Sequence, residues 1–321
     1  MTLKDAPSVT RTQGLAGWRP SPGLQRGFAL AAVIANGLIA VTGAVVRVTG
    51  SGLGCPTWPE CQSGSLVPVL REQNSSIHQL IEFGNRTLTS VVLIASVGTF
   101  LLIWRARPQR RPLVRLALIL PIGVVFQAVW GGLTVLLGLA WWTVAPHMLV
   151  SLGLLFVAVW VHQRLAEGDG PTRPTVPRPL NLLACATCGV LVILCVAGTL
   201  VTGAGPHAGD LDTPRLDLPV RTLAQVHADL MFTYLGLLVA FGIALIAVKA
   251  PVTLRRRMWV LVAVTAGQGL IGVVQYSLGV PEALVVLHVL GAVLLVSAAA
   301  RMVFATRSRA GEVRHPDRRS R

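Results

Sequence analysis

Seven histidines occur in this 321-residue chain, and four of them fall into a pattern. "FQAVWGGLTVLLGLAWWTVAPHMLV" (126–150) and "GQGLIGVVQYSLGVPEALVVLHVLG" (267–291) carry the same skeleton. It runs Gln127, Gly131, Gly138, His147 in the first copy and Gln268, Gly272, Gly279, His288 in the second. "IHQLIEF" (77–83) and "VHADLMF" (226–232) add His78 and His227, one to each half. An imidazole within a membrane span is costly and usually functional. Two imidazoles from different helices at one depth suit axial ligation of a heme iron from both faces. The pattern therefore predicts His78 with His147, and His227 with His288, as two ligand pairs. His162, His207 and His315 fall at a helix end, in a loop and in the tail, and carry no such pattern.

Beside His78 the chain adds Glu82 and Arg86, spaced so that all three stack on one helix face. The aligned positions in the second half are Met231 and Leu235. A carboxylate and a guanidinium beside one histidine only would make one half catalytic and the other an electron-transfer or structural site. A purely structural Glu82–Arg86 ion pair is the competing reading. Cys55 and Cys61, in "RVTGSGLGCPTWPEC", are placed either to form a disulfide on an oxidising face or to stay as two thiols. Cys185, Cys188 and Cys195 lie within one apolar run and read as packing residues.

The elements that must hold these groups are membrane helices. Hydrophobic residues make up 53% of the chain and charged residues 13%, with mean hydropathy +0.66. Eight apolar runs are each long enough to cross a bilayer: 27–47, 79–104, 113–137, 146–164, 180–203, 225–248, 258–277 and 283–305. The fold class is all-α: a polytopic membrane protein whose eight transmembrane helices form two pseudo-symmetric four-helix bundles. The segments are a cytoplasmic N-terminal stretch 1–26, a first half 27–164, a linker 165–179, a second half 180–305 and a basic tail 306–321. Four transmembrane segments per half give both halves one orientation. The first span ends in "VTGSG" (48–52) and the fifth in "VTGAG" (201–205). No cleavable signal peptide is expected, since the first 25 residues are polar.

The net charge of +15 is unevenly distributed. Of 28 Lys and Arg, 23 fall in the termini, in the 164–179 region and in the connections after the second and sixth spans; the opposite face has five Arg against eight acids. This is the positive-inside pattern, so both termini are expected in the cytoplasm of a multi-pass cell-membrane protein. The basic fringe would meet anionic lipid headgroups. It is not a nucleic-acid surface.

The chain resembles the heme A synthases of cytochrome oxidase biogenesis from about 27 to 304. The resemblance rests on "TGAVVRVTGSGLGCPTWPEC" (42–61), "IEFGNR" (81–86), "PHMLVSL" (146–152), "TGAGPHAGD" (202–210), "VHADL" (226–230) and "LHVLGAVLL" (287–295). It implies a heme b in the C-terminal half, held by His227 and His288. It also implies heme O as substrate and heme A as product in the N-terminal half. There the C8 methyl is oxidised to a formyl group by successive hydroxylations, with Glu82 essential and the Cys55–Cys61 pair redox-active in many members. Arg47 and Arg86 become candidates for the heme propionates. Many members read Glu-x-x-His-Arg where this chain has Asn85 before Arg86; His78 is then the expected substitute ligand, and Asn85 a substrate contact. Heme O synthase and cytochrome c oxidase assembly factors are the implied partners, and self-association is left open. A non-enzymatic diheme b-type cytochrome and a small-molecule transporter are the other function classes.

Overall fold

A computed structural model describes residues 18–69, 76–107, 109–168 and 170–309. Most of the expected N-terminal segment and of the basic tail lies outside these residues.

Eight helices long and apolar enough to span a membrane occur among the described residues. They are α1 (Pro22–Val48), α2 (Ser76–Ala106), α3 (Arg111–Leu136), α4 (Trp141–Arg164), α5 (Arg178–Ala204), α6 (Val220–Ala247), α7 (Val252–Ser277) and α8 (Glu282–Phe304). Several begin about a turn or more before the apolar runs do. Hydropathy marks only the hydrocarbon-depth stretch, whereas helical hydrogen bonding continues through interfacial residues such as Trp141–Trp142 and Arg255–Arg257. Proline starts several helices, as at Pro22, whose cap Ser21 accepts from Leu24 N at 3.2 Å.

Four-residue connections (107–110, 137–140, 248–251, 278–281) force antiparallel hairpins. Helices α1 to α4 pack in a closed ring, each against the next and α4 against α1; α5 to α8 do the same. Within each ring the first and third helices, and the second and fourth, stand diagonally across the interior. The two rings meet through α1–α8, α4–α8 and α4–α5. At this seam a Cβ on Gly37 would come within 3.0 Å of Val293, the close backbone approach by which membrane helices associate. The apolar core runs across the seam, joining Leu152, Leu155 and Val159 of α4 to Leu238 and Phe241 of α6 and Val296 and Ala299 of α8. Outward positions such as Ile34, Ile94 and Ile122 are exposed to the lipid position.

The linker is not wholly irregular. Thr172–Pro174 (β1) pairs antiparallel with Arg307–Arg309 (β2), and Thr175 donates to the carbonyls of Thr306 (2.9 Å) and Ala305 (2.7 Å). Three residues are too few to show alternation, so the sequence gives no strand signal here.

Candidate functional site

Each four-residue turn at the loop end of the molecule requires left-handed backbone. Gly138 and Leu139 have φ of 63° and 57°, and Gly279 and Val280 have φ of 75° and 64°. The repeated glycine thus lets α4 and α8 reverse tightly enough to bring a histidine inward. His147 and His288 are each the seventh residue of their helix. Their surroundings agree closely. Gln127 Nε2 donates to His147 O and Gln268 Nε2 to His288 O, both at 2.8 Å. A Cβ on Gly131 or Gly272 would lie 3.2 Å from the respective imidazole Cε1. Both Nδ1 atoms are buried without a hydrogen-bond partner.

In the second half, His288 on α8 faces His227 on the diagonal helix α6, with ring centroids 6.3 Å apart. His227 Nδ1 lies 3.1 Å from Leu194 O on α5, which orients its ring. A Cβ on Gly198 would come within 3.0 Å of that ring, so the glycine is what makes room for it. Two imidazoles facing each other from opposite helices, one of them oriented by the Leu194 carbonyl, are a donor set that fits a heme.

The first half differs. The four histidines were expected at one depth, but His78 and His227 stand at different distances from the described ends of α2 and α6. His78 lies 28 residues before Ala106 and His227 only 20 before Ala247. Counted back from the helix ends that enter the four-residue turns 107–110 and 248–251, the motifs 77–83 and 226–232 therefore differ in position by eight residues. His78 Nδ1 is 2.8 Å from Ser51 Oγ in the loop after α1. No ring contact between His78 and His147 occurs among the described residues.

Around Glu82 the structure builds a cage. Glu82 is 4% exposed; its Oε2 accepts from Cys55 N at 2.6 Å, and its Oε1 accepts from Arg86 Nη2 at 2.6 Å and Nε at 3.1 Å. Arg86 also donates to the carbonyls of Cys55 (2.5 Å), Thr57 (2.9 Å) and Glu60 (3.2 Å). These five bonds match the five N–H groups of a guanidinium. Arg86 has no donor left over for a propionate. Cys55 and Cys61 are joined as a disulfide, and Trp58 between them packs where a Cβ on Gly132 of α3 would be. Carboxylate, guanidinium and loop thus form one unit.

Arg47 is likewise engaged by protein, donating from Nε to His207 O (2.5 Å) and from Nη2 to Thr202 O (2.7 Å) across the seam. Asn85 lies with its Oδ1 2.7 Å from Thr42 Oγ1 of α1.

Two residues were missed from sequence. Gln79 is fully buried and both its amide atoms lack a partner; a lone Gln one turn from Glu82 carries no signal of its own. Arg215, in the loop after α5, has a buried, unpartnered Nη2 and stands near Arg47. Burial pushes its pKa below the usual arginine range. A half-buried guanidinium near another cation would suit a carboxylate.

With that geometry in place, the relatives are informative. A family model described as cytochrome oxidase assembly protein matches residues 26–300. A protein named protoheme IX farnesyltransferase from Thermus thermophilus is 30% identical over 285 residues, covering 82% of this chain and 45% of that relative. A heme A synthase of Lysinibacillus sphaericus is 37% identical over 133 residues, 41% of each chain. One from Alkalihalophilus pseudofirmus is 28% identical over 142 residues, 44% of this chain and 46% of that one. In each case the match spans less than half of the relative's own length.

Proposed function

The chain belongs to the heme A synthase family of cytochrome oxidase assembly proteins, and from that premise we propose that it oxidises the C8 methyl of heme O to the formyl group of heme A. The observation that carries this reading is the asymmetry of the two bundles. One sets His227 against His288 across its interior; the other sets His147 in the matching place and adds a buried carboxylate on α2.

On this reading His227 and His288 hold a heme b, which supplies one-electron redox chemistry when bound. The first bundle takes heme O as substrate, with His147 as an iron ligand. Glu82, excluded from water by the disulfide loop, accepts protons released as the methyl is oxidised, or balances positive charge that develops there. The charge of Arg86 and the Cys55 N–H fix the carboxylate in place, so the loop acts as its scaffold. Arg215, whose buried Nη2 has no partner, is the propionate partner. Arg86, fully engaged, keeps the structural role.

The excess of Lys and Arg favours the end bearing 107–110 and 248–251 as cytoplasmic, in a cell membrane. A relative named protoheme IX farnesyltransferase supports association with the enzyme that makes heme O; oxidase assembly factors would receive the product. The experiment is expression alongside a heme O synthase, with extracted hemes separated by chromatography. Heme A should appear with this chain and be absent without it. Unchanged heme O and heme b would overturn the reading and favour a diheme electron carrier.

A further inference from the structure

We propose that the first bundle ligates its heme iron through His147 alone, with Asn85 over the opposite axial face, and that His78 is a loop anchor. The proposal rests on the heme-binding part of the reading above and concerns how this chain departs from a two-histidine site.

Depth is the first observation. Asn85 lies 21 residues before the end of α2, and His227 lies 20 before the end of α6. At about 1.5 Å per residue these two are level within a residue. His78 is about 10 Å nearer the loop end, seven residues further along the same helix.

The second observation is the neighbour each meets. His227 lies against Gly198, six residues before the end of α5. Asn85 lies against Thr42, six residues before the end of α1. Counted from the helix ends, the place of Gly198 in the second bundle is taken in the first by the β-branched Thr42, which donates to the Asn85 amide oxygen at 2.7 Å. By this count the pair Thr42–Asn85 stands in the first bundle where Gly198–His227 stands in the second. On the facing helix nothing has changed: His147 keeps the glycine, glutamine and unpartnered Nδ1 of His288.

His78 is held elsewhere. Its Nδ1 is bonded to Ser51, and a Cβ on Gly54 would come within 2.6 Å of its carbonyl oxygen. The loop after α1 is packed directly onto it. A carboxamide is a poor iron ligand beside a neutral imidazole, so one axial position stays accessible to an outside molecule and is lined by a hydrogen-bonding amide.

The test is optical spectroscopy of protein purified from cells that make heme O, reduced with dithionite and titrated with carbon monoxide. The second-bundle heme, six-coordinate, is the internal control for folding. We expect one heme to bind carbon monoxide and one to ignore it. His147→Ala should remove the carbon-monoxide-binding heme only. His78→Ala should keep that heme and its response, while lowering thermal stability. Thr42→Gly with Asn85→His should convert the first heme to a low-spin spectrum and weaken carbon monoxide binding at least tenfold. Loss of the first heme in His78→Ala with the second intact, or a wild type indifferent to carbon monoxide with both hemes bound, would overturn the proposal. Absence of heme A with these spectra as expected would count against the enzymatic reading alone.

Discussion

Glu82 shows what a single side chain can and cannot reveal before the fold is known. Its pairing with Arg86 follows from i, i+4 spacing, and the structure has that pair at 2.6 Å. The convergence of three loop carbonyls on the same guanidinium does not, because nothing local in "CPTWPEC" dictates where its carbonyls point. The orphaned Gln79 amide and the buried nitrogen of Arg215 are equally silent in sequence. Glu82→Gln separates scaffold from chemistry. The amide still accepts from Cys55 N but leaves Arg86 without its counter-charge, costing about 2 kcal/mol by the usual scale for a charged hydrogen bond. The expected outcome is a folded protein of lower thermal stability that retains the second-bundle heme spectrum and forms no heme A. Normal heme A yield from this variant would reduce Glu82 to a loop anchor.

At the scale of elements, composition and span length were enough to indicate eight helices, and the structure contains them among the described residues. Helix starts were harder to read. α6 begins at Val220, before the edge of its apolar run, and counted back from the ends of α2 and α6 His78 and His227 differ in position by eight residues. The hairpin turns carried a truer signal. The glycines at 138 and 279 recur because the chain is left-handed there, with φ of 63° and 75°. Gly138→Ala should cost about 1–2 kcal/mol for a left-handed alanine, and because the turn sets the approach of α4, first-bundle heme content should fall with it. Gly279→Ala should do the same to the second bundle. Thermal unfolding of each variant, together with heme content, checks this; equal loss of both hemes in either one would mean the turn acts on the whole fold.

Across the whole molecule, the two bundles are joined at the seam by apolar packing and at the loop end by Arg47. This residue, at the end of the first span, was a candidate partner for a heme propionate because a guanidinium suits bidentate carboxylate contacts. Instead its Nε and Nη2 bind carbonyls of the other half, and Gly52 N reaches Gly209 O nearby at 2.9 Å. Thr202 lies in the last turn of α5, where carbonyls lack helical partners and a cation is favoured. His207 continues the chain of contacts, its Nε2 2.9 Å from Val280 O in the turn before α8. Arg47 therefore ties α1 to the loop ends of α5 and α8. Removing it should cost roughly 3 kcal/mol, two charge-assisted bonds at the lower end of their range, without touching either pair of diagonal helices. Arg47→Ala should then leave both heme spectra in place while speeding hydrogen exchange at 202–209 and 49–54. Arg47→Lys should recover only part of the protection, since an ammonium cannot reproduce the planar fork between two carbonyls. A role in holding a propionate predicts the reverse: heme affinity falls, exchange at the loops is unchanged, and lysine rescues much of the binding through its charge.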